Sequence, residues 1–335
     1  MKRSADLDLF KTMLVVGMVA IHVFQLLGRS MPVWVDRVAE GINLITFSGF
    51  LLAMGIGVGM GSERERGFWE RMRPVMLLLV AAWISAFAFA LLVDRTPLTW
   101  MLALDVLSFR RLFGWSEFLA SFFMLYLLLA LLRPLILRMA LDPLSFGLSV
   151  ALSFASTWIV VDLWLPASAT LLGTTLFASF PLLPYLPWFL VGIRLGRSGG
   201  KLGWAHWSVA ALCSGLLAFQ VQQTGALPGR FPPTVLWVIG PALVLALYWV
   251  LARLLAARVP NVLLLPGRHA LSYLLVSNLL IFSARRIWGR PITEVETWLG
   301  STLGVLVVIG VGWWIVERSR GPARKSLWGA NLSNN

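Results

Sequence analysis

Long apolar runs, each closed by a short basic or proline-containing segment, make up most of the chain. A membrane-crossing helix needs about 20 mostly apolar residues. Ten runs meet that length closely enough to be read as spans: 9–28, 42–61, 74–93, 116–132, 144–164, 171–194, 205–222, 234–252, 262–283 and 298–316. The stretch 97–107 is too short to cross and is expected to lie at the interface. The expected fold is an all-α integral membrane protein of about ten helices, a single unit over 1–318 with a polar cytoplasmic tail over 319–335.

Composition agrees. Of 335 residues, 59% are hydrophobic and 13% are charged, about half the charged share of ordinary soluble domains. The net charge of +13 would suggest nucleic acid in a soluble chain. Here the charges sit between apolar runs, where they set topology and meet anionic lipid, so nucleic acid is set aside and membrane lipids are the expected neighbours. With the N-terminus inside, 19 of the 28 Lys and Arg residues fall in cytoplasmic segments, which predicts N-in and C-in. Met1-Lys2-Arg3 before an apolar run looks like a signal peptide, but no small-x-small site follows Leu27, so it reads as an uncleaved first helix. The single cysteine, Cys213, excludes an internal disulfide, and no metal-ligand cluster is visible.

Small residues recur every four positions in the second span (Gly49, Ala53, Gly57, Gly61), with Gly300, Gly304 and Gly312 in the tenth. Such faces usually allow helices to approach closely in membranes. The series Gly55 to Gly61 is no phosphate loop, because no strand precedes it and no Lys-Ser/Thr follows it.

The first span carries a polar stripe. Lys11 and His22 are 11 positions apart, three turns plus about 20°, and so share one helix face with Asp8 and Gln25. Of the three histidines, His206 and His269 fall at span ends and only His22 lies within a span. An ionisable group there is a functional candidate. Two readings stand for His22: a neutral imidazole bridging helices, or a proton acceptor, the role imidazole fills near neutral pH. Lys11 likewise either reaches the interface or pairs with Asp8, or serves a reaction. No serine or cysteine sits in a nucleophile motif, so His22 is the general-base candidate if the chain is an enzyme.

These residues resemble a known pattern. Asp8-x-x-Lys11-x10-His22 is similar to the Asp-x-x-Arg-x10-His opening of the membrane-bound acyltransferase-3 family, in a wider superfamily that includes heparan-alpha-glucosaminide N-acetyltransferases. Phe47-Ser48-Gly49-Phe50-Leu51, Leu186-Pro187-Trp188-Phe189-Leu190-Val191-Gly192 and Gly267-Arg268-His269-Ala270-Leu271-Ser272-Tyr273-Leu274-Leu275 add to the resemblance in the family's order. Lysine replaces the family's arginine, and Val276-Ser277-Asn278 stands where many relatives carry a histidine.

The resemblance implies transfer of an acyl group, acetyl in the first instance, from cytoplasmic acetyl-CoA to a hydroxyl of a glycan or lipid-linked saccharide on the outer face. It casts His22 as base, with Lys11 and Asp8 beside it and no metal. The donor phosphates need cations, and Arg64, Arg66, Arg71 and Arg73 form the densest cluster. For the acceptor the candidates are Gln25, Glu117 and Asp162, the last flanked by Trp158 and Trp164. The expected location is a cell membrane, as a multi-pass protein of a bacterial inner membrane. The alternatives are a transporter or flippase, for which Pro181, Pro184 and Pro187 would break the sixth span, and a non-catalytic membrane partner.

Overall fold

The computed structural model describes residues 4–28, 32–61, 67–162, 166–288, 305–307, 309–315 and 318. Among these the secondary structure is helical, with an isolated bridge between Val160 and Gly173 and no strand. Among the described residues, seven helices are long and apolar enough to cross a membrane.

The first three long helices end within a residue of their predicted ends, but α2 and α3 begin nine and six residues before their predicted starts at 42 and 74. α1 (Ala5–Leu27) starts at Ser4, whose hydroxyl accepts from the Leu7 N–H at 3.3 Å, with Asp6 and Asp8 in the first turn. That places a cap and negative charge at the positive end of the helix dipole. α2 (Val33–Met60) and α3 (Phe68–Leu92) follow, and the short α4 (Trp100–Leu107) occupies the stretch expected at the interface.

α5 (Glu117–Leu141) outruns its predicted end at residue 132. The apolar run stops at Arg133-Pro134, but the helix only kinks, with Leu132 at φ −115° and ψ 26°. A proline inside a helix removes one hydrogen bond and bends the axis without necessarily ending it. Asp142 then turns the chain into α6 (Pro143–Ala155), its carboxylate accepting from the Ser145 N–H at 2.8 Å and Pro143 opening the helix.

The fifth and sixth predicted spans are shorter as helices than their apolar runs. α6 has 13 residues, about 20 Å of rise against a hydrocarbon core of about 30 Å. Beyond it come a 3₁₀ turn (Ser156–Trp158) and the four-residue α7 (Pro166–Ala169). α8 (Leu182–Arg197) begins eleven residues after the predicted start at 171. Pro181 is the residue before the helix and Pro184 lies in its first turn, where a missing N–H costs nothing. Pro181 and Pro184 start the helix, and Pro187, the third expected break, lies inside α8, which runs on to Arg197.

α9 (Trp204–Thr224) is followed by α10 (Val235–Ile239) and α11 (Ala242–Leu255), which form one apolar length divided at Gly240-Pro241. Ser214 of α9 spans the division, donating to the Gly240 carbonyl at 2.7 Å and accepting from the Leu243 N–H at 3.0 Å. The ninth span is also divided. A 3₁₀ turn (Asn261–Leu264) and α12 (Leu265–Arg268) precede α13 (Ala270–Trp288), with His269 non-helical between them. Of the tenth span, 305–307 and 309–315 are helical; Gly300, Gly304 and the tail over 319–335 lie outside the described residues.

α2 and α8 form the tightest helix pair. A methyl added at Gly55 or Gly59 would collide with the carbonyls of Phe189 or Ile193, and one at Gly192 or Gly196 with those of Leu52 or Ile56. The close approach therefore uses Gly55 and Gly59, not the face of Gly49, Ala53, Gly57 and Gly61. Gly49 meets Leu14 of α1, while Ala53, Gly57 and Gly61 line an open cavity. On that face small residues leave space instead of closing it.

Candidate functional site

α1 is held through its polar stripe. Asp8 is 2% exposed and is shared by two cations: Lys11 Nζ at 3.4 Å and Arg268 Nε at 3.1 Å. Thr12 donates to the Asp8 carbonyl at 3.0 Å and accepts the Gly267 N–H at 2.9 Å. Any side chain at Gly267 would strike the Asp8 carbonyl, so glycine lets α12 lie directly on α1. Arg268 also donates to Asn261 Oδ1 at 3.0 Å.

Three turns along, His22 is 8% exposed. Its Nδ1 lies 2.9 Å from Asn278 Oδ1 of α13, and its ring meets Trp115 edge-on with centroids 4.2 Å apart. Asn278 donates through Nδ2 to the Trp115 carbonyl at 3.4 Å, which fixes its amide with the oxygen toward the imidazole. An amide oxygen only accepts, so Nδ1 carries the proton and Nε2 keeps its lone pair. That is the tautomer a general base requires.

Two cavities flank this stripe. The larger, about 440 Å³, lies at the end of the bundle where α1 begins. Its cations are Lys11, Arg71, Arg133 and Arg268, and Ala53, Gly57 and Gly61 form part of its wall. The smaller, about 140 Å³, lies toward the C-terminal end of α1 and is lined by His22, Gln25, Asn43, Trp115, Glu117 and Arg230 among others. Phe50 and Phe122 belong to both linings. Their rings meet edge-on at 6.2 Å, and Phe47 stacks on Phe122 at 5.3 Å, so an aromatic partition separates a cationic chamber from the histidine chamber.

The sequence-derived candidates divide accordingly. Asp8, Lys11, His22, Gln25 and Glu117 are brought to the two chambers or to their ion pairs. Of the arginine cluster, Arg71 reaches the larger cavity and donates to the Ala130 carbonyl at 3.2 Å, while Arg73 is exposed away from its lining. Arg64, Arg66 and Trp164 lie outside the described residues.

Asp162 belongs to neither cavity. It is exposed and bound within its own loop, accepting from the Thr175 N–H at 3.0 Å, the Thr175 hydroxyl at 2.9 Å and the Thr174 hydroxyl at 3.1 Å. The Thr175 N–H first, and then its hydroxyl, hold the Asp162 carboxyl below the usual carboxylate range. His206 and His269 sit at helix ends.

Arg268, part of the quoted Gly267-Arg268-His269 motif, and Arg133, which carried no sequence signal, come to the larger cavity from helices far apart in the chain; Arg230, also without a signal, reaches the smaller one from the loop before α10. Arg230 lies over Phe231 and Phe180 at 4.6 and 5.1 Å. Burial pushes its pKa down, against the favourable fields of Tyr185 and Glu117. No family model, curated protein or solved structure matches the chain.

Proposed function

We propose that this is a membrane-embedded acyltransferase that moves an acyl group, acetyl in the first instance, from cytoplasmic acetyl-CoA to a hydroxyl of a glycan or glycolipid on the outer face. The observation that carries this reading is the pair of chambers meeting at Phe50 and Phe122, one cationic and one holding His22. A donor with several phosphates is suited to Lys11, Arg71, Arg133 and Arg268. The positive-inside bias supports putting that chamber on the cytoplasmic side of a cell membrane.

The thioester would lie at the aromatic partition, with the pantetheine arm behind it. The acceptor hydroxyl would enter from the other chamber. His22 Nε2 takes its proton as the oxygen attacks the thioester carbonyl; the C–S bond then breaks and the thiolate leaves toward the cationic chamber. Asn278 holds the neutral imidazole in the base tautomer, and the imidazolium then returns its proton to the thiolate to release CoA as the thiol. Lys11, tied to Asp8, contributes positive charge on the donor side.

The test uses the purified full-length protein in proteoliposomes containing the host's glycolipids and labelled acetyl-CoA. Label should pass to the glycolipid fraction with release of CoA, and His22→Ala should lose about 10²–10⁴-fold in rate while still binding CoA. Two chambers end to end also suit a transporter of a lipid-linked or small polar solute, and the division at Gly240-Pro241 favours that second reading. Solute movement without CoA release would select it. Full biological activity in His22→Ala would instead point to a non-catalytic partner.

A further inference from the structure

Two side chains in the smaller chamber have buried polar atoms without a hydrogen-bond partner among the described residues: Glu117 Oε2 and Arg230 Nε. Both line the cavity, yet no ion pair joins them among the described residues. A buried polar or charged group left without a partner is costly. The rings of Phe231 and Phe180 do not answer the need of Arg230, because stacking occupies the faces of a guanidinium and leaves its in-plane N–H donors unused. The Glu117 carboxyl draws on the backbone N–H groups of residues 115–117, but its Oε2 is left without a donor.

One ligand satisfies both if it carries an anion for Arg230 and a hydroxyl for Glu117. The chamber of about 140 Å³ has room for about ten water-sized centres, the scale of one sugar ring and not of a chain. Its aromatic wall suits the C–H face of such a ring. We propose that the smaller chamber binds a hydroxylated anion, a sugar unit bearing a carboxylate or phosphate, with Arg230 on the anion and Glu117 on a ring hydroxyl, so that another hydroxyl is presented to His22. Its identification as the acceptor rests on the acyltransferase reading; the binding site itself does not.

The test omits acetyl-CoA. Full-length protein in nanodiscs is titrated with glucuronate, glucose 1-phosphate and glucose, and binding is followed by saturation-transfer NMR. At least one anionic sugar should bind about tenfold or more tighter than glucose, the strength of a charge-assisted contact, and the better anion tells carboxylate from phosphate.

Arg230→Gln should erase that preference, Arg230→Lys should retain part of it in a folded protein, and Glu117→Gln should weaken all three sugars. Equal binding of glucose and both anions, or an anion preference that survives in Arg230→Gln, overturns the proposal. An anion preference with no acetyl transfer in the separate assay supports the site and sinks the transferase reading. Transfer without the preference does the reverse.

Discussion

Lys11 and Arg268 share one carboxylate, and that sharing sets what each can do. With Asp8 nearly inaccessible, its charge offsets one of the two cations and leaves about one net positive charge at the mouth of the larger chamber. Lys11→Arg should be tolerated in transfer assays, because a guanidinium can keep the Asp8 pair. Lys11→Ala should lower turnover while the Arg268 pair keeps the helix docked. Asp8→Asn removes the shared partner and sets two cations against each other, so it should destabilise the protein. Both cations are partly exposed and Arg268 keeps Asn261, so the loss is smaller than for a fully buried pair but visible as a lower melting temperature in detergent.

His22 poses a different residue-scale question. Asn278→Ala should leave Nδ1 without its acceptor, freeing the ring to populate the unproductive tautomer. Transfer should fall by a larger factor than the amount of folded protein, measured by size-exclusion chromatography. A rate unchanged by Asn278→Ala would remove the tautomer argument. Sequence reading placed His22 and Lys11 on one face from their spacing alone, and the stripe is what the structure displays. It did not find Asn278, Arg133 or Arg230 as partners, since contacts across 256 residues leave no mark on local periodicity.

Among the elements, the glycines of α2 divide into two faces with opposite tasks. Gly55 and Gly59 admit the backbone of α8, whereas Gly57 and Gly61 keep a cavity open. Gly55→Val forces a side chain against the Phe189 carbonyl. Overpacking usually costs about 1–3 kcal/mol, and here backbone stands in the way, so loss of monodisperse protein is expected. Gly147→Ala in α6 is the control, because nothing lies near its missing Cβ.

The four-residue spacing of small positions was plain in the sequence, but which face packs and which opens was not, because both look equally small. The proline-marked ends were legible only in part. Arg133-Pro134 kinks a helix that continues, while Pro181 and Pro184 begin one. The same residue type bends or starts a helix according to its place in the turn, which an apolar run does not reveal.

Over the whole molecule, the charge asymmetry makes a topological prediction. Tags in the loops near Arg197 and Arg258 should be cytoplasmic and tags near Arg37 and Arg230 external; a reporter at Arg230 found in the cytoplasm would reverse the assignment of the two chambers. Acetyl-CoA binding should weaken as salt rises, since phosphate pairing at an open cavity is screened within about 10 Å at 0.1 M. Neutralising Arg71 and Arg133 together should weaken it further without unfolding the bundle.

The contacts of α1 also fix an order of events during synthesis. Its first helix leaves the ribosome carrying Asp8, Thr12 and His22, and their partners Arg268, Gly267 and Asn278 lie 260, 255 and 256 residues later. Until α12 and α13 arrive, Asp8 and Thr12 have only their partners within α1, and His22 in the middle of the helix lacks Asn278, a costly state in hydrocarbon. α12 and α13 thereby act as a latch on the first helix. Chains truncated before Gly267 should therefore be short-lived in pulse-chase experiments, although most of their apolar helices are present. Supplying residues 260–335 as a separate polypeptide should prolong their lifetime.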